Sequence, residues 1–178
     1  MIRSFLNAQI RKFGRRFNYD TSYMHEICAV SPGAVYGLLK LPDFYRYRGP
    51  ALGQTVWTGA LLASTLEGDC GPCAQLVIDM ALAAGADRET LRLCAQGRAD
   101  TAGAMGLGFR FAEAAIKADP VADKLRSEII SEFGETCALS CAFAAASGRI
   151  YPVLKRGMGH GQACQGLDFG DTIVTLAA

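Results

Sequence analysis

Charged residues are scarce in this sequence, and the charges that are present nearly cancel. Lys, Arg, Asp and Glu make up only 20% of the 178 residues, and the formal net charge at pH 7 is +1. Domains that bind nucleic acid usually carry a strong excess of Lys and Arg together with a recognisable reading motif, and neither feature is present here. The sequence therefore predicts that nucleic acid is not a partner.

Long apolar runs are missing as well. Hydrophobic residues make up 51% of the chain, yet no stretch approaches the roughly 18 uncharged apolar residues of an ordinary membrane-spanning helix. A secretory signal is not expected either, because Asn7, Gln9, Arg11 and Lys12 interrupt the N-terminal stretch where such a signal is apolar. We therefore expect a cytoplasmic protein without a membrane partner, in which most of the seven cysteines are free thiols.

The low charge leaves much apolar surface to be covered. A chain of 178 residues fits one domain and buries about two-thirds of its unfolded surface. With so few charged residues, part of the remaining surface is expected to pack against other copies of the chain. The sequence therefore predicts a homo-oligomer.

The first segment has the pattern of an amphipathic basic helix. Apolar side chains recur at helical spacing, and most of the basic residues fall off that stripe. A membrane-surface anchor and an organelle-targeting peptide are two alternatives for such a helix. We favour a lid that packs on the same or a neighbouring subunit, and we treat residues 1–19 as this helix and residues 20–178 as one all-α domain. The apolar stripe consists of Ile2, Phe5, Leu6, Ile10, Phe13 and Phe17.

Helical periodicity and capping residues recur through the rest of the chain, and no convincing central strand precedes residue 172. Ser31-Pro32, Asp87 and Asp119-Pro120 have the residue types that begin helices. The final residues 172–176 are either an edge strand or a tail. The second predicted helix follows a cap at Asp20 or Thr21, and the one from residue 32 is expected to end near Leu41-Pro42. The later predicted helices begin at residues 51, 70, 88, 100 or 101, 121, 135 and 152.

Glycines cluster in the predicted helix that begins near residue 101. Gly103, Gly106 and Gly108 do not follow a strand, so they do not form a phosphate-binding loop. Small residues at this spacing instead predict that another helix packs closely against this one.

Two cysteines separated by two residues lie at a predicted helix start. In the stretch from Glu67 to Cys73, Asp69 is placed to cap the helix and Gly71-Pro72 falls in its first turn. Free backbone N–H groups at a helix N-terminus favour the anion over the thiol, and so they lower a cysteine pKa there. We therefore predict that Cys70 and Cys73 form a redox-active, catalytic pair. The alternative is two small residues buried where helices meet.

A helical hairpin with this cysteine pair at the start of its second arm, followed by the Ala-rich run from Ala74 to Gly85, resembles the alkyl hydroperoxidase D-like superfamily, which includes the carboxymuconolactone decarboxylases. The resemblance implies an all-α fold that assembles as homotrimers or hexamers. In the redox branch of that superfamily, the cysteine pair reduces peroxides or exchanges with another dithiol. On this basis we expect a peroxide or another small organic substrate, a dithiol electron donor, and neither a cofactor nor a metal.

Only the two cysteines of that branch's motif carry over to this chain. The motif resembles Glu, eleven residues, Cys-x-His-Cys, three residues, His, and this chain has Thr58, Pro72 and Val77 at the Glu and His positions. Glu67 and Asp69 are then the candidates for acid–base work or for modulating a thiol pKa, with capping or a solvated charge as the other interpretation. The alternative function is that of a non-redox member with a structural cysteine pair.

Helix position and family resemblance give opposite predictions of which cysteine attacks. Cys70 at the first helical position is closest to the free N–H groups, and in thioredoxin-like dithiols the first cysteine is the nucleophile. The resemblance implies instead that Cys73 meets the peroxide and that Cys70 resolves the product. We prefer Cys73 for peroxide, and we expect an external dithiol to attack Cys70.

The remaining cysteines give weaker predictions. His25, Cys28 and the Cys70–Cys73 pair have the residue types of a structural zinc site, which is an alternative to the redox interpretation. Cys137 and Cys141 lie one turn apart among alanines, so we expect both to be buried in the core.

Overall fold

The computed structural model describes residues 2–162 and 166–175. Helices follow one another along nearly all of this chain, and a two-stranded sheet follows the last of them. The all-α prediction is therefore confirmed at the level of fold class. The elements are α1 (Ile2–Phe17), α2 (Ser22–Val30), α3 (Pro32–Tyr45), α4 (Gln54–Glu67), α5 (Gly71–Ala83), α6 (Arg88–Ala95), α7 (Gly103–Ile116), α8 (Val121–Phe133), α9 (Glu135–Ser147), α10 (Ile150–Gly157), β1 (Gly166–Asp168) and β2 (Ile173–Thr175), with 3-10 turns at Ala51–Gly53 and Ala99–Thr101.

The predicted capping residues satisfy the first N–H groups of their helices. The Ala34 N–H donates to Ser31 Oγ over 3.3 Å, and the Thr90 N–H donates to a carboxylate oxygen of Asp87 over 2.8 Å. Asp119 accepts from the N–H of Val121 over 2.9 Å, but Pro120 occupies the capping position of α8, so the predicted cap at Asp119 is wrong by one residue. Each of these side chains replaces an intrahelical acceptor that a first turn lacks, and this is why the chain begins helices at these positions.

Helix α3 continues past the point where the sequence predicts its end. Pro42 lies inside the helix and supplies no N–H for the Leu38 carbonyl one turn earlier. The Tyr151 hydroxyl donates to that carbonyl over 3.2 Å. The predicted end near Leu41-Pro42 is thus wrong, because a residue from a distant helix takes the place of the missing hydrogen bond.

The main core lies around the crossing of α4 and α7. Val56 and Ala60 of α4 and Met105 and Ala112 of α7 are fully buried within one apolar cluster. Gly108 lies against α4 so closely that a Cβ there would overlap the Val56 carbonyl oxygen. The prediction of close helix packing is therefore confirmed for Gly108, because only a residue without a side chain fits this crossing.

A second apolar cluster forms where α1 covers α2 and α3. Leu6 and Ile10 of α1 are buried against Tyr23, Met24 and other residues of this cluster. The first turn of α1 is different, because Ile2 and Phe5 are 63% and 62% exposed. The basic helix thus packs within its own chain through the middle of its apolar stripe and leaves the start of the stripe uncovered.

The last elements bring the C-terminal part of the chain against α5. β1 and β2 pair antiparallel, with Leu167 opposite Val174. The Gln75 side chain of α5 accepts from the Asp168 N–H and donates to the Asp168 carbonyl, each over 2.8 Å. Of the two alternatives for residues 172–176, the strand is found, and it ends at Thr175. Leu176 lies outside the described residues. The strand at Gly166–Asp168 was not predicted.

One apolar helical segment needs separate mention. Glu135–Gly157 spans 23 residues with a mean hydropathy of 1.3, which is long and apolar enough to cross a membrane by composition alone. Half of it is buried inside the protein, where Cys137, Cys141 and Ala144 belong to the main core. Core helices of soluble proteins pass the same test, so this segment carries no further conclusion.

Candidate functional site

The cysteine pair lies at the junction between α4 and α5. Asp69 has a left-handed backbone conformation with φ of +48°, which Asp tolerates better than most residues. Cys70 follows in an extended conformation and is itself the residue that precedes the first helical position, while Cys73 is the third residue of the helix. The N–H groups of Cys73 and Ala74 both donate to the Cys70 carbonyl over 3.0 Å. The predicted cap at Asp69 is therefore wrong by one residue, and Cys70 occupies the capping position.

The two thiols differ sharply in their acidity. The interaction with the Cys73 thiol is the main cause that lowers the pKa of Cys70 to about 6. Burial opposes this shift, whereas the Cys73 backbone N–H and the charges of Lys155 and Arg156 lower the pKa further. The pKa of Cys73 is raised, first by its interaction with Cys70 and then by burial. The pair therefore favours one thiolate, at Cys70, beside one protonated thiol, at Cys73.

Both cysteines are buried in the protein. Their exposed fractions are 2% for Cys70 and 4% for Cys73. The Gly71 N–H, between them, donates to the Gln162 carbonyl over 3.3 Å, so the chain after α10 crosses the first turn of α5. A substrate can reach the sulfur atoms only after a neighbouring segment moves.

The two predicted carboxylates take part in surface ion pairs. Glu67 lies 3.1 Å from the guanidinium of Arg149, and Asp69 lies 3.5 Å from that of Arg156. Arg156 also donates to the carbonyls of Gly68 and Asp69, over 2.8 and 3.0 Å, and so fixes the backbone just before Cys70. These contacts support a structural role for both carboxylates, while their catalytic role stays a prediction.

Three residues that the sequence analysis did not select complete the site. The Tyr19 hydroxyl lies 3.7 Å from Cys73 Sγ, and the Lys155 ammonium lies 5.0 Å from the centre of the Tyr19 ring. The same ammonium lies 5.4 Å from the centre of the Tyr23 ring, whose hydroxyl is also buried. The side chains thus form a buried polar group around the dithiol.

Helix α10 positions Lys155 at this site. Pro152 and Lys155 are the buried residues of the helix, and Pro152 packs so closely on Gly68 that a Cβ at position 68 would overlap its ring. Lys155 is therefore on the inward face, and only 1% of its surface is exposed. The sequence contains one signal for this burial. Position 155 lies between Tyr151 and Met158 at helical spacing, and so it falls on the apolar face of the helix.

The two tyrosines are held in their neutral forms. Burial is the main cause that raises the pKa of Tyr19, and the neighbouring Tyr23 and Cys73 add to it. Burial also raises the pKa of Tyr23. Both hydroxyls therefore keep their protons across the physiological range and are able to donate a hydrogen bond to a sulfur or an oxygen atom.

Tyr19 also lines an open cleft. The cleft has a volume of about 500 Å³ and lies where the end of α1 meets the connection to α2, with Arg11, Arg15 and Tyr19 among its lining residues. Tyr19 therefore belongs both to this cleft and to the surroundings of Cys73, which its hydroxyl reaches.

His25 and the other cysteines that the structure describes do not join the site. His25 Nδ1 hydrogen-bonds with the Asn7 side chain, and Cys28 Sγ donates to the Arg3 carbonyl over 3.9 Å, so the zinc alternative has no support. Within residues 2–162 and 166–175, no group of three or more His, Cys, Asp or Glu side chains is arranged to hold a metal ion. The six described cysteines are all free and buried, Cys137 and Cys141 in the core as predicted, and Cys164 lies outside the described residues.

Comparison with models of known protein families, with curated proteins and with solved structures finds no match for this chain. The resemblance to the alkyl hydroperoxidase D-like superfamily thus stays an interpretation of the sequence. The functional argument depends on the geometry and electrostatics of the site itself.

Proposed function

We propose that this protein is a thiol-dependent oxidoreductase in which Cys70 and Cys73 cycle between a dithiol and a disulfide. The observation that carries the proposal is one thiol whose pKa is lowered to about 6 beside a second thiol whose pKa is raised. A thiolate is the attacking species in peroxide reduction and in thiol–disulfide exchange, while the resolving thiol has to stay protonated until the second step. In this proposal Cys70 therefore attacks the substrate, whereas the sequence analysis preferred Cys73 for peroxide.

With a disulfide substrate, each step exchanges one sulfur–sulfur bond for another. The Cys70 thiolate attacks one substrate sulfur, a mixed disulfide forms, and the other substrate sulfur leaves as a thiolate that takes a proton from solvent. Cys73 then loses its proton and attacks Cys70 Sγ, which breaks the mixed disulfide and releases the second substrate thiolate. Two electrons pass from the protein to the substrate, and an external dithiol returns them in the reverse sequence.

With a peroxide substrate, the first bond to form is between sulfur and oxygen. The Cys70 thiolate attacks one peroxide oxygen, the O–O bond breaks, and an alcohol or water leaves after taking a proton. Cys70 is then a sulfenic acid, which the Cys73 thiol attacks to form the disulfide and release water. The proton of the Cys73 thiol leaves with the sulfenic acid's hydroxyl group as water, and the Tyr19 hydroxyl, 3.7 Å from Cys73 Sγ, is placed to hydrogen-bond with that sulfur during the step.

The burial of the pair favours small substrates or a site that opens. Both cysteines are almost fully buried, and the chain at Gln162 covers the first turn of α5. A peroxide or a small organic disulfide needs a smaller opening than a protein dithiol that acts as electron donor. Assembly into a homotrimer or hexamer, and cytoplasmic localisation, remain part of the same proposal.

The test is to oxidise the reduced protein with one equivalent of hydrogen peroxide or oxidised glutathione and to map the products by mass spectrometry. We expect a Cys70–Cys73 disulfide in the unmodified chain. In the Cys73→Ser variant, we expect a sulfenic acid on Cys70 that a dimedone-type probe traps. The Cys141→Ser variant is the matched control, because Cys141 is equally buried but lies in α9 away from the pair.

Two outcomes would contradict the proposal. A label on Cys73 in the Cys70→Ser variant, with none on Cys70 in the Cys73→Ser variant, would reverse the roles of the two cysteines. Neither a disulfide nor a label in any variant would remove the redox function altogether.

A second function is favoured by the burial itself. Exposed fractions of 2% and 4% are typical of cysteines that only fill space between helices. In that case the chain uses its helical scaffold to bind or transform a small molecule without redox chemistry. Resistance of both cysteines to alkylation and to mild oxidation in the folded protein would support this second function over the first.

A further inference from the structure

Lys155 is a buried cation that the dithiol mechanism above does not use. Its ammonium faces the rings of Tyr19 and Tyr23, and only 1% of the residue is exposed. The carboxylates of Glu67, Asp69 and Glu26 form ion pairs with Arg149, Arg156 and His160 and not with Lys155. A charged group so far from water is normally paired with an opposite charge, because aromatic rings replace only part of its hydration. We therefore expect an anion close to the Lys155 ammonium.

The groups that face Lys155 leave one candidate for that anion. Both tyrosines are neutral, since burial raises the pKa of each. Asp20 is the remaining carboxylate within electrostatic range, but it is exposed, and its oxygen accepts from the Ser22 N–H and hydroxyl. Cys70 and Cys73 are the other acidic groups in range. The geometry brings Lys155 to the dithiol through Tyr19, because the ring that the ammonium faces carries the hydroxyl that lies 3.7 Å from Cys73 Sγ. Within the dithiol, Cys70 is the member whose anion is favoured.

Charged groups on the neighbouring elements do not replace Lys155 in this role. Arg156 points along the surface to the Gly68 and Asp69 carbonyls, and more than half of its side chain is exposed. His160 hydrogen-bonds with the exposed carboxylate of Glu26 over 2.9 Å. Lys155 is thus the buried cation among the described residues around the dithiol.

We propose that the Lys155 ammonium is the counter-ion of the Cys70 thiolate, and that this pair favours the dithiol over the disulfide, so that the disulfide form oxidises thiol substrates. The inference rests on the proposed function, since it assigns a direction to the same cysteine chemistry. When the disulfide forms, the thiolate charge is lost while the ammonium stays buried between two aromatic rings. The oxidised state is then the less favourable one, and a protein disulfide whose reduced form is stabilised is a strong oxidant.

The reaction balances with thiols as the substrate class. The protein disulfide and two thiols give a substrate disulfide, one protein thiolate at Cys70, one protein thiol at Cys73 and one proton released to solvent. The first substrate thiolate attacks a protein sulfur, and the second attacks the mixed disulfide. Two electrons move from the thiols to the protein, and Lys155 neither forms nor breaks a bond. It is a positioning residue that acts through its charge.

The experiment measures the thiol–disulfide equilibrium of the full chain in glutathione buffers, for the unmodified protein and the Lys155→Met variant. Methionine keeps the length of the side chain without its charge. We expect the equilibrium in Lys155→Met to move toward the disulfide by about tenfold or more, which corresponds to roughly 30 mV per tenfold change. Lys155→Arg, which keeps the charge, should restore most of the original value. An unchanged equilibrium in a folded Lys155→Met variant would overturn the proposal.

Two further variants separate this effect from a general change of charge. Asp20→Asn removes the other acidic group near Lys155, and Lys40→Met removes an exposed lysine that pairs with Asp43. Both should leave the equilibrium within about twofold of the original, because neither alters the buried pair. A shift in Asp20→Asn as large as that in Lys155→Met would make Asp20 the counter-ion and reject Cys70.

A stability cycle tests the pair even where no disulfide forms, and so it distinguishes failure of this inference from failure of the redox function. Cys70→Ser removes the anion, and we expect it to destabilise the reduced protein in the Lys155 background and much less in the Lys155→Met background. Denaturant unfolding of all four proteins at pH 8 gives the coupling. Additive effects would show that Lys155 and Cys70 do not interact, whatever the redox result.

Discussion

Cys70 and Cys73 lie one turn apart on the chain, yet folding moves their acidities in opposite directions. Folding lowers the pKa of Cys70 from 9.0 to about 6, with the Cys73 thiol as the main cause, and raises that of Cys73. A group whose pKa is lowered on folding stabilises the folded state above its unfolded pKa, and this contribution is lost as the pH falls through the folded value. A group whose pKa is raised on folding destabilises the folded state only when the pH exceeds the pKa that the group has in the unfolded state. Between pH 6 and pH 9, Cys70 is therefore the member of the pair whose ionisation changes the stability of the folded protein.

We predict that the reduced protein becomes more stable as the pH rises from about 6 to about 9, by at most a few kcal/mol. Denaturant unfolding across this range gives the free energy of unfolding at each pH. The Cys70→Ser variant is the control, because it removes this thiol and leaves the titrating groups outside the pair in place, so its stability should lack this rise. Parallel pH curves for the two proteins would show that Cys70 is not ionised in the folded state.

At the scale of elements, the crossing of α4 and α7 depends on a glycine. A Cβ at Gly108 would overlap the Val56 carbonyl oxygen, and neither backbone moves without disturbing the main core. We predict that Gly108→Ala lowers the free energy of unfolding by about 3 kcal/mol or more, as measured by thermal or denaturant unfolding. The overlap is with backbone, so no side-chain rearrangement relieves it.

Gly37→Ala in α3 is the matched control for this change. Nothing lies within 4 Å of a Cβ built at Gly37, and alanine has the higher helix propensity. The control should therefore be neutral or more stable by up to about 1 kcal/mol. If both variants lose stability, the cause is the change of backbone freedom from glycine to alanine and not the close crossing of α4 and α7.

Local patterns predicted the elements better than they predicted the site. Ser31 and Asp87 begin their helices as expected, because capping depends on neighbouring residues that the sequence displays directly. The extension of α3 past Pro42 was not predictable, since the hydroxyl that compensates for the proline comes from Tyr151. Tyr19 and Lys155 were missed for the same reason: each reaches the cysteines through tertiary packing, and no local pattern encodes such a contact.

For the whole molecule, the remaining apolar surface supports the prediction of a homo-oligomer. Val30, Leu52 and Phe5 are 85%, 74% and 62% exposed. A chain with so few charges gains by covering such side chains with another copy of itself. We predict a particle larger than the 19.0 kDa monomer in sedimentation or light scattering at micromolar concentration. A monomer under these conditions would reject the prediction.

Removal of residues 1–17 tests the part that α1 plays in this molecule. Leu6 and Ile10 of α1 cover Tyr23 and Met24 of α2, so the truncated chain would expose a large apolar area. We predict lower solubility and a lower unfolding temperature for the truncated chain. The Lys12→Ser variant is the control, because Lys12 is on the exposed face of α1 and changes only its charge. Unchanged behaviour after truncation would show that α1 contributes nothing to folding.

The distance in sequence between the cysteines and Lys155 also affects how the protein is made. Cys70 and Cys73 leave the ribosome long before α10 does, and α10 supplies the ammonium and, through Arg156, the hydrogen bonds that fix the turn before Cys70. Without them, the pair lacks the two nearby positive charges that lower the pKa of Cys70 further. The nascent chain therefore carries the dithiol in an incomplete site, and the site is completed only when the C-terminal helix docks.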